Sequence, residues 1–151
     1  MLDKFNNLIN PLLNILNVIL FIVIFIVVDL GIIFRFLNFP LFWTEELCKY
    51  TFIWAMLLET VMLVNKKQNI GVDWFIKFFP KKFEKALAKI VILMQLIFVI
   101  LLVYYGIRMM ILNAYIPIPS LKISWSIVYL GIVVASFLMS ISFFFQLFCE
   151  K

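Results

Sequence analysis

Histidine is absent from the 151 residues. Its absence removes His-ligated haem, His-containing zinc sites and imidazole proton relays together. Cysteine occurs twice, at Cys48 and Cys149, without a Cys-x-x-Cys pair, so thiol-redox chemistry has no dithiol to run on. Charge is scarce: 14% of residues are Asp, Glu, Lys or Arg, against roughly 25% in a soluble domain. Four glycines and five prolines are too few for collagen or low-complexity disorder. What is present is apolar. Hydrophobic residues make up 66% of the chain, and the mean hydropathy is +1.16. The solvent of this protein is largely lipid.

A membrane helix needs about 20 predominantly apolar residues. Four stretches qualify, at about 12–34, 47–64, 86–112 and 123–148. Barrel strands would alternate apolar and polar residues. The run from Ile19 to Val28 does not alternate. The expectation is therefore an all-α integral membrane protein, a four-helix bundle forming one domain over residues 1–151. The first stretch is too long for a signal-peptide core and lacks a small-x-small cleavage site, so it reads as a retained helix.

Lysine and arginine set the expected orientation. Lys66, Lys67, Lys77, Lys81, Lys82, Lys85 and Lys89 lie between helices two and three, and Lys4 and Lys151 lie at the ends. Arg35, Lys49, Arg108 and Lys122 fall on the other side. This asymmetry predicts both termini in the cytoplasm. The net charge of +5 is then met by anionic membrane lipid and implies no nucleic-acid partner. Trp74, Phe75, Phe78, Phe79 and Phe83 recur at helical spacing among the middle-loop lysines, which predicts short interfacial helical segments.

Several residues stand out as structural or docking candidates. Thr44 is placed to cap helix two, with Glu45 and Glu46 at its positive end and Trp43 at the interface. Glu45 and Lys49 form an i,i+4 pair in the favoured order. Asn10, Asn14 and Asn17 make a polar stripe on helix one, and Ser124, Gly131, Ala135 and Ser142 a small-residue stripe on helix four. Both are ordinary devices for helix association. Glu59 falls near mid-membrane, where a carboxylate is costly. A protonated form, or a hydrogen bond to Gln95 or an Asn of helix one, is its structural reading; ion binding is its functional one. Lys122 sits in the second outer loop without an evident intrachain role. A nucleophile–base set is missing, so an enzyme is not expected, and neither is a cofactor.

The stretch Arg35-Phe-Leu-Asn-Phe-Pro-Leu-Phe-Trp43-Thr-Glu45-Glu46-Leu47-Cys-Lys49-Tyr-Thr-Phe-Ile-Trp54 resembles the signature of the small, DctQ-type membrane subunit of tripartite ATP-independent periplasmic (TRAP) transporters. Asn65-Lys-Lys-Gln-Asn69-Ile70-Gly-Val72-Asp73 resembles that family's basic stretch followed by His-Ile-x-Val-Asp, and Tyr115-Ile-Pro-Ile-Pro119-Ser-Leu121 the loop before its last helix. The chain departs from the pattern at Asn65, Asn69, Glu59 and Ser124, where the family commonly has a basic residue, His, Gly and Pro. The resemblance implies a multi-pass protein of the bacterial inner membrane. Its partners would be a large TRAP membrane subunit and a periplasmic solute-binding protein, and its role would be to brace the former and help dock the latter during sodium-coupled uptake of an organic acid. A stand-alone small exporter and a membrane assembly factor are the rival readings.

Overall fold

Long apolar runs propagate as helix in lipid because every backbone N–H and C=O must find its partner within the segment. The computed structural model describes residues 2–66 and 81–149. In them the chain forms α1 (Leu2–Phe36), α2 (Phe42–Asn65), α3 (Lys81–Leu112) and α4 (Ser126–Cys149). Each contains a stretch long and apolar enough to cross a membrane: Leu8–Phe36, Phe42–Asn65, Leu87–Leu112 and Ser126–Leu147. The segment holding Trp74, Phe75, Phe78, Phe79 and Asp73 lies outside the described residues, and so do its expected interfacial turns.

Helix boundaries differ from expectation in instructive ways. α1 begins at Leu2 rather than near residue 12 and carries Pro11 inside it. Proline costs one intrahelical bond. Asn6 and Asn10, on its N-terminal side, both bond to α2 and hold that stretch in place. α2 begins at Phe42, with Leu41 at the cap position in extended backbone and no side-chain cap bond. Asn38 turns the chain in a left-handed conformation (φ 60°), and helix starts as soon as Pro40 is passed. Thr44 is therefore not the cap. It lies inside the first turn, where its hydroxyl donates back to the Leu41 carbonyl at 2.6 Å. α4 begins at Ser126, which leaves Ser124 in the preceding loop.

The helices stand in an open row, α1–α2–α4–α3, instead of a closed bundle. α3 packs against α4 alone, α1 mainly against α2, and α2 and α4 form the centre. Small residues decide this order by letting backbones approach. A Cβ on Gly131 of α4 would sit 2.9 Å from the Trp54 ring of α2. One on Gly106 of α3 would sit 2.9 Å from Val133 of α4. One on Gly31 of α1 would sit 3.0 Å from the Thr44 hydroxyl. The core is thin and runs along the row: Leu13, Leu58, Val61, Val99, Ala135, Met139 and Phe143. The outward faces of α1 and α3, from Phe25 to Met94 and Tyr104, are exposed. A row of helices buries little and presents much apolar surface to lipid or to another membrane protein.

Candidate functional site

The helices meet in two polar regions at opposite ends. At the end that holds the first residues of α1, Asn65 is the hub. Its Nδ2 donates to Asn10 Oδ1 at 2.8 Å, its Oδ1 accepts from the Ser142 hydroxyl, and its carbonyl accepts from Asn6 Nδ2 at 3.0 Å. Gln146 Nε2 donates to the neighbouring Val64 carbonyl at 2.9 Å. Three helices are thus joined at the last turn of α2, where carbonyls lack intrahelical partners. Asn6, Asn65, Ser142 and Gln146 are all buried. The two stripes read from sequence converge here in part. Asn10, Asn17 and Ser142 point inward, whereas Asn14 is exposed.

Glu59 belongs to the same half. Because α2 starts at Phe42, Glu59 lies only six residues before Asn65, roughly 9 Å from that end rather than near the middle. Its Oε2 accepts from Asn17 Nδ2 at 2.8 Å. Gln95 cannot serve it, since α3 does not approach α2. The carboxyl is half-buried.

The other end is built by the two connections. Arg35, in the last turn of α1, pairs with Glu45 at 2.6 Å across the 37–41 turn. Glu45 therefore serves α1, not Lys49. Arg35–Glu45 is the one ion pair among the described residues, and both side chains are largely exposed. Trp43, the second residue of α2, is exposed. Glu46 accepts from the Ser120 backbone N–H at 3.1 Å and so ties α2 to the 113–125 loop.

That loop is a folded cap. Ile118 N donates to Ile123 O at 2.7 Å, Lys122 N to Ile118 O at 2.9 Å, and Trp125 N to Ile116 O at 3.1 Å. Ile118, between Pro117 and Pro119, is 2% exposed and lines a cavity with Leu47, Tyr50 and Trp54. Tyr50 and Trp125 meet edge to face at 5.4 Å. The Ser124 hydroxyl donates to the Asn113 and Ala114 carbonyls and accepts from Ser126 N–H, closing α3 and starting α4 with one side chain. Lys122 does have an intrachain role, though a backbone one: it holds the left-handed corner of this loop at φ 53°. Its side chain is exposed. No group of three or more Cys, Asp or Glu able to hold a metal occurs among the described residues.

The DctQ component model of the tripartite ATP-independent periplasmic transporters matches residues 22–150. The chain belongs to this family. The match spans all of α2, α3 and α4 and the loop-end polar region, and of the Asn65 region it takes in Glu59, Asn65, Ser142 and Gln146 but not Asn6, Asn10 and Asn17 of α1. The family is non-enzymatic, and the DctQ component resides in the inner membrane. The chain is also similar to the sialic acid TRAP transporter permease protein SiaT of Haemophilus influenzae (strain 86-028NP), with 31% identity over 69 residues. That stretch is 46% of this chain and 11% of the relative, so the chain covers about a tenth of SiaT's length.

Proposed function

We propose that this DctQ component braces the large permease in the membrane and helps to seat the periplasmic binding protein, while the permease carries out sodium-coupled uptake of an organic acid. One observation carries the reading: most inward-facing polar side chains among the described residues, with Ser136 and Gln95 as exceptions, are spent joining helix to helix. Asn6, Asn10, Asn17, Glu59, Asn65, Ser142 and Gln146 all bond across helices. A transport path needs polar groups or charges facing a cavity; these face each other. The broad apolar faces of α1 and α3 suit a bracing role against another membrane protein.

In this reading both termini are cytoplasmic, as the lysine distribution favours, and the 113–125 loop faces the periplasm with the Lys122 ammonium outward. The sialic acid named for SiaT belongs to the carboxylate class expected here, and the precise substrate is the permease's to select. Reconstitution tests the proposal. The chain alone should give no solute flux, whereas chain, permease and binding protein together should give sodium-dependent uptake. Flux from the chain by itself refutes it. Lys122→Glu should raise the concentration of binding protein needed for half-maximal uptake in an otherwise assembled complex, and an unchanged concentration dependence removes the docking role.

A further inference from the structure

Asp29 is exposed on α1, inside the stretch Leu8–Phe36 that is long and apolar enough to cross a membrane. At about 100° per residue it stands roughly 160° from Leu13, Val27 and Gly31, the line along which α1 meets the rest of the chain. Val18, Ile22, Phe25, Ile33 and Phe36 lie within about 40° of it, and all are exposed. Steps of three and four residues keep this line on one side of the helix, as in the seam of a packed helix pair. A carboxylate thus sits in the middle of an apolar seam that points away from its own protein.

Its depth follows from its neighbours. From Asp29 to Phe36 is roughly 10 Å of helix. Over that length Ile32, Ile33 and Phe36 are exposed, and Leu37, Phe39 and Phe42 are exposed beyond it. Such a surface is stable against hydrocarbon or protein, not against water. The charge within it, Arg35, is neutralised by Glu45. Asp29 has no such relief. It makes no hydrogen bond or ion pair among the described residues. Lys49 of α2 lies beside Val28 and Ile32, round the helix from Asp29, and does not pair with it. Ionisable groups within membrane helices face a bundle interior or a wet cavity and have partners.

The sign of the charge selects the occupant. Phospholipid phosphate repels a carboxylate, and Asp, with one methylene, cannot extend to a headgroup ammonium. Arg108, exposed on α3, differs on both counts: a guanidinium suits phosphate, and its long stem can carry it to the headgroups. Asp29 needs a donor brought into the membrane by another helix, and the seam around it offers that helix a surface to pack on.

We infer that this face of α1 docks a membrane-spanning helix of the large permease, which presents an arginine or lysine to Asp29 between Phe25 and Ile33. The inference rests on the bracing role and adds to it the face and the chemistry of the contact.

The test uses the chain in complex with its permease, purified through a tag on the permease. The photo-crosslinking residue benzoylphenylalanine at Phe25 should join the chain to the permease. Asp29→Asn, which keeps an acceptor but no charge, should weaken retention of the chain across a dilution series. Asp29→Leu should weaken it further, by about tenfold or more, because the partner's cation is left buried without an acceptor. The melting temperature of the chain alone should be unchanged in both. Retention of Asp29→Leu at or above the wild-type level would overturn the proposal, since a lipid-facing or purely apolar position gains from leucine. A crosslink from Phe25 to a second copy, or to no protein in a complex that holds the permease, would overturn it too. So would a lowered melting temperature in either variant, which would place the partner of Asp29 within this chain. Failure of the wild-type chain to bind the permease would instead refute the bracing role itself.

Discussion

The two ends of this protein are held by different physics. At the Asn65 end, buried amides and a hydroxyl join three helices, and few groups there have water as an alternative partner. At the loop end, the charged groups are exposed, and the tie is made by backbone: the 113–125 cap, with Ile118 as its apolar plug. Polar contacts stabilise where they are buried and satisfied, and add little where water competes. The charged end is the more conspicuous in sequence. The amide end holds the helices together.

Substitutions can break this contrast, and the largest effect belongs to the centre that both ends depend on. Gly131→Leu places side-chain atoms where a Cβ already meets the Trp54 ring at 2.9 Å. Overpacking of that kind costs about 1–3 kcal/mol and occasionally more. The expected outcome is a separated α2–α4 contact, seen as lost Trp54 fluorescence shift and a sharply lowered melting temperature in detergent.

Asn65→Leu should come next. It deletes the bonds to Asn10 and Ser142, of which Ser142 is buried and Asn10 half-buried. Interhelical hydrogen bonds in membranes average about 0.6 and reach about 1.7 kcal/mol each, so a loss of about 1–3 kcal/mol is expected. Steric-trapping or SDS-unfolding titration measures it. A loss no larger than that of Arg35→Gln would erase the difference between the two ends.

Arg35→Gln and Glu45→Gln should each cost under about 1 kcal/mol, with a coupling in the double variant that fades in high salt. Glu59→Gln should be smaller still in stability, because the amide oxygen can still accept from Asn17 Nδ2. Sodium-dependent uptake by the reconstituted complex should persist within a few-fold. Abolished sodium coupling in an assembled complex would place α2 in the transport path. The smallest effect is a gain: Lys122→Gly relieves a left-handed backbone at φ 53° and should stabilise by at most about 1 kcal/mol. Its partner, Lys122→Val, should destabilise, which separates the backbone role of this position from its charge.

Much of this was open to reading from residue order. The four spans follow from length and apolarity, since lipid allows only internally satisfied helices. The small-residue stripe at Gly131, Ala135 and Ser142 does mark the buried face of α4, because close approach leaves room for little else. The motif from Arg35 to Trp54 pointed to the family that the later match bears out. Other features needed the tertiary structure. Thr44 looked like a cap because its type and its acidic neighbours suit one, but the turn at Asn38 and Pro40 starts the helix earlier and sends Glu45 to Arg35. Lys122 looked free because a left-handed corner is a property of backbone, invisible in a lysine. Asn65 looked like a mere departure from a basic position, because its three partners lie at the far ends of two other helices. The order α1–α2–α4–α3 was likewise beyond local pattern. Apolar periodicity tells a helix what to bury, and these helices are apolar on most of their circumference. Only the fit of Gly106 against Val133 and of Gly131 against Trp54 decides which helix stands beside which.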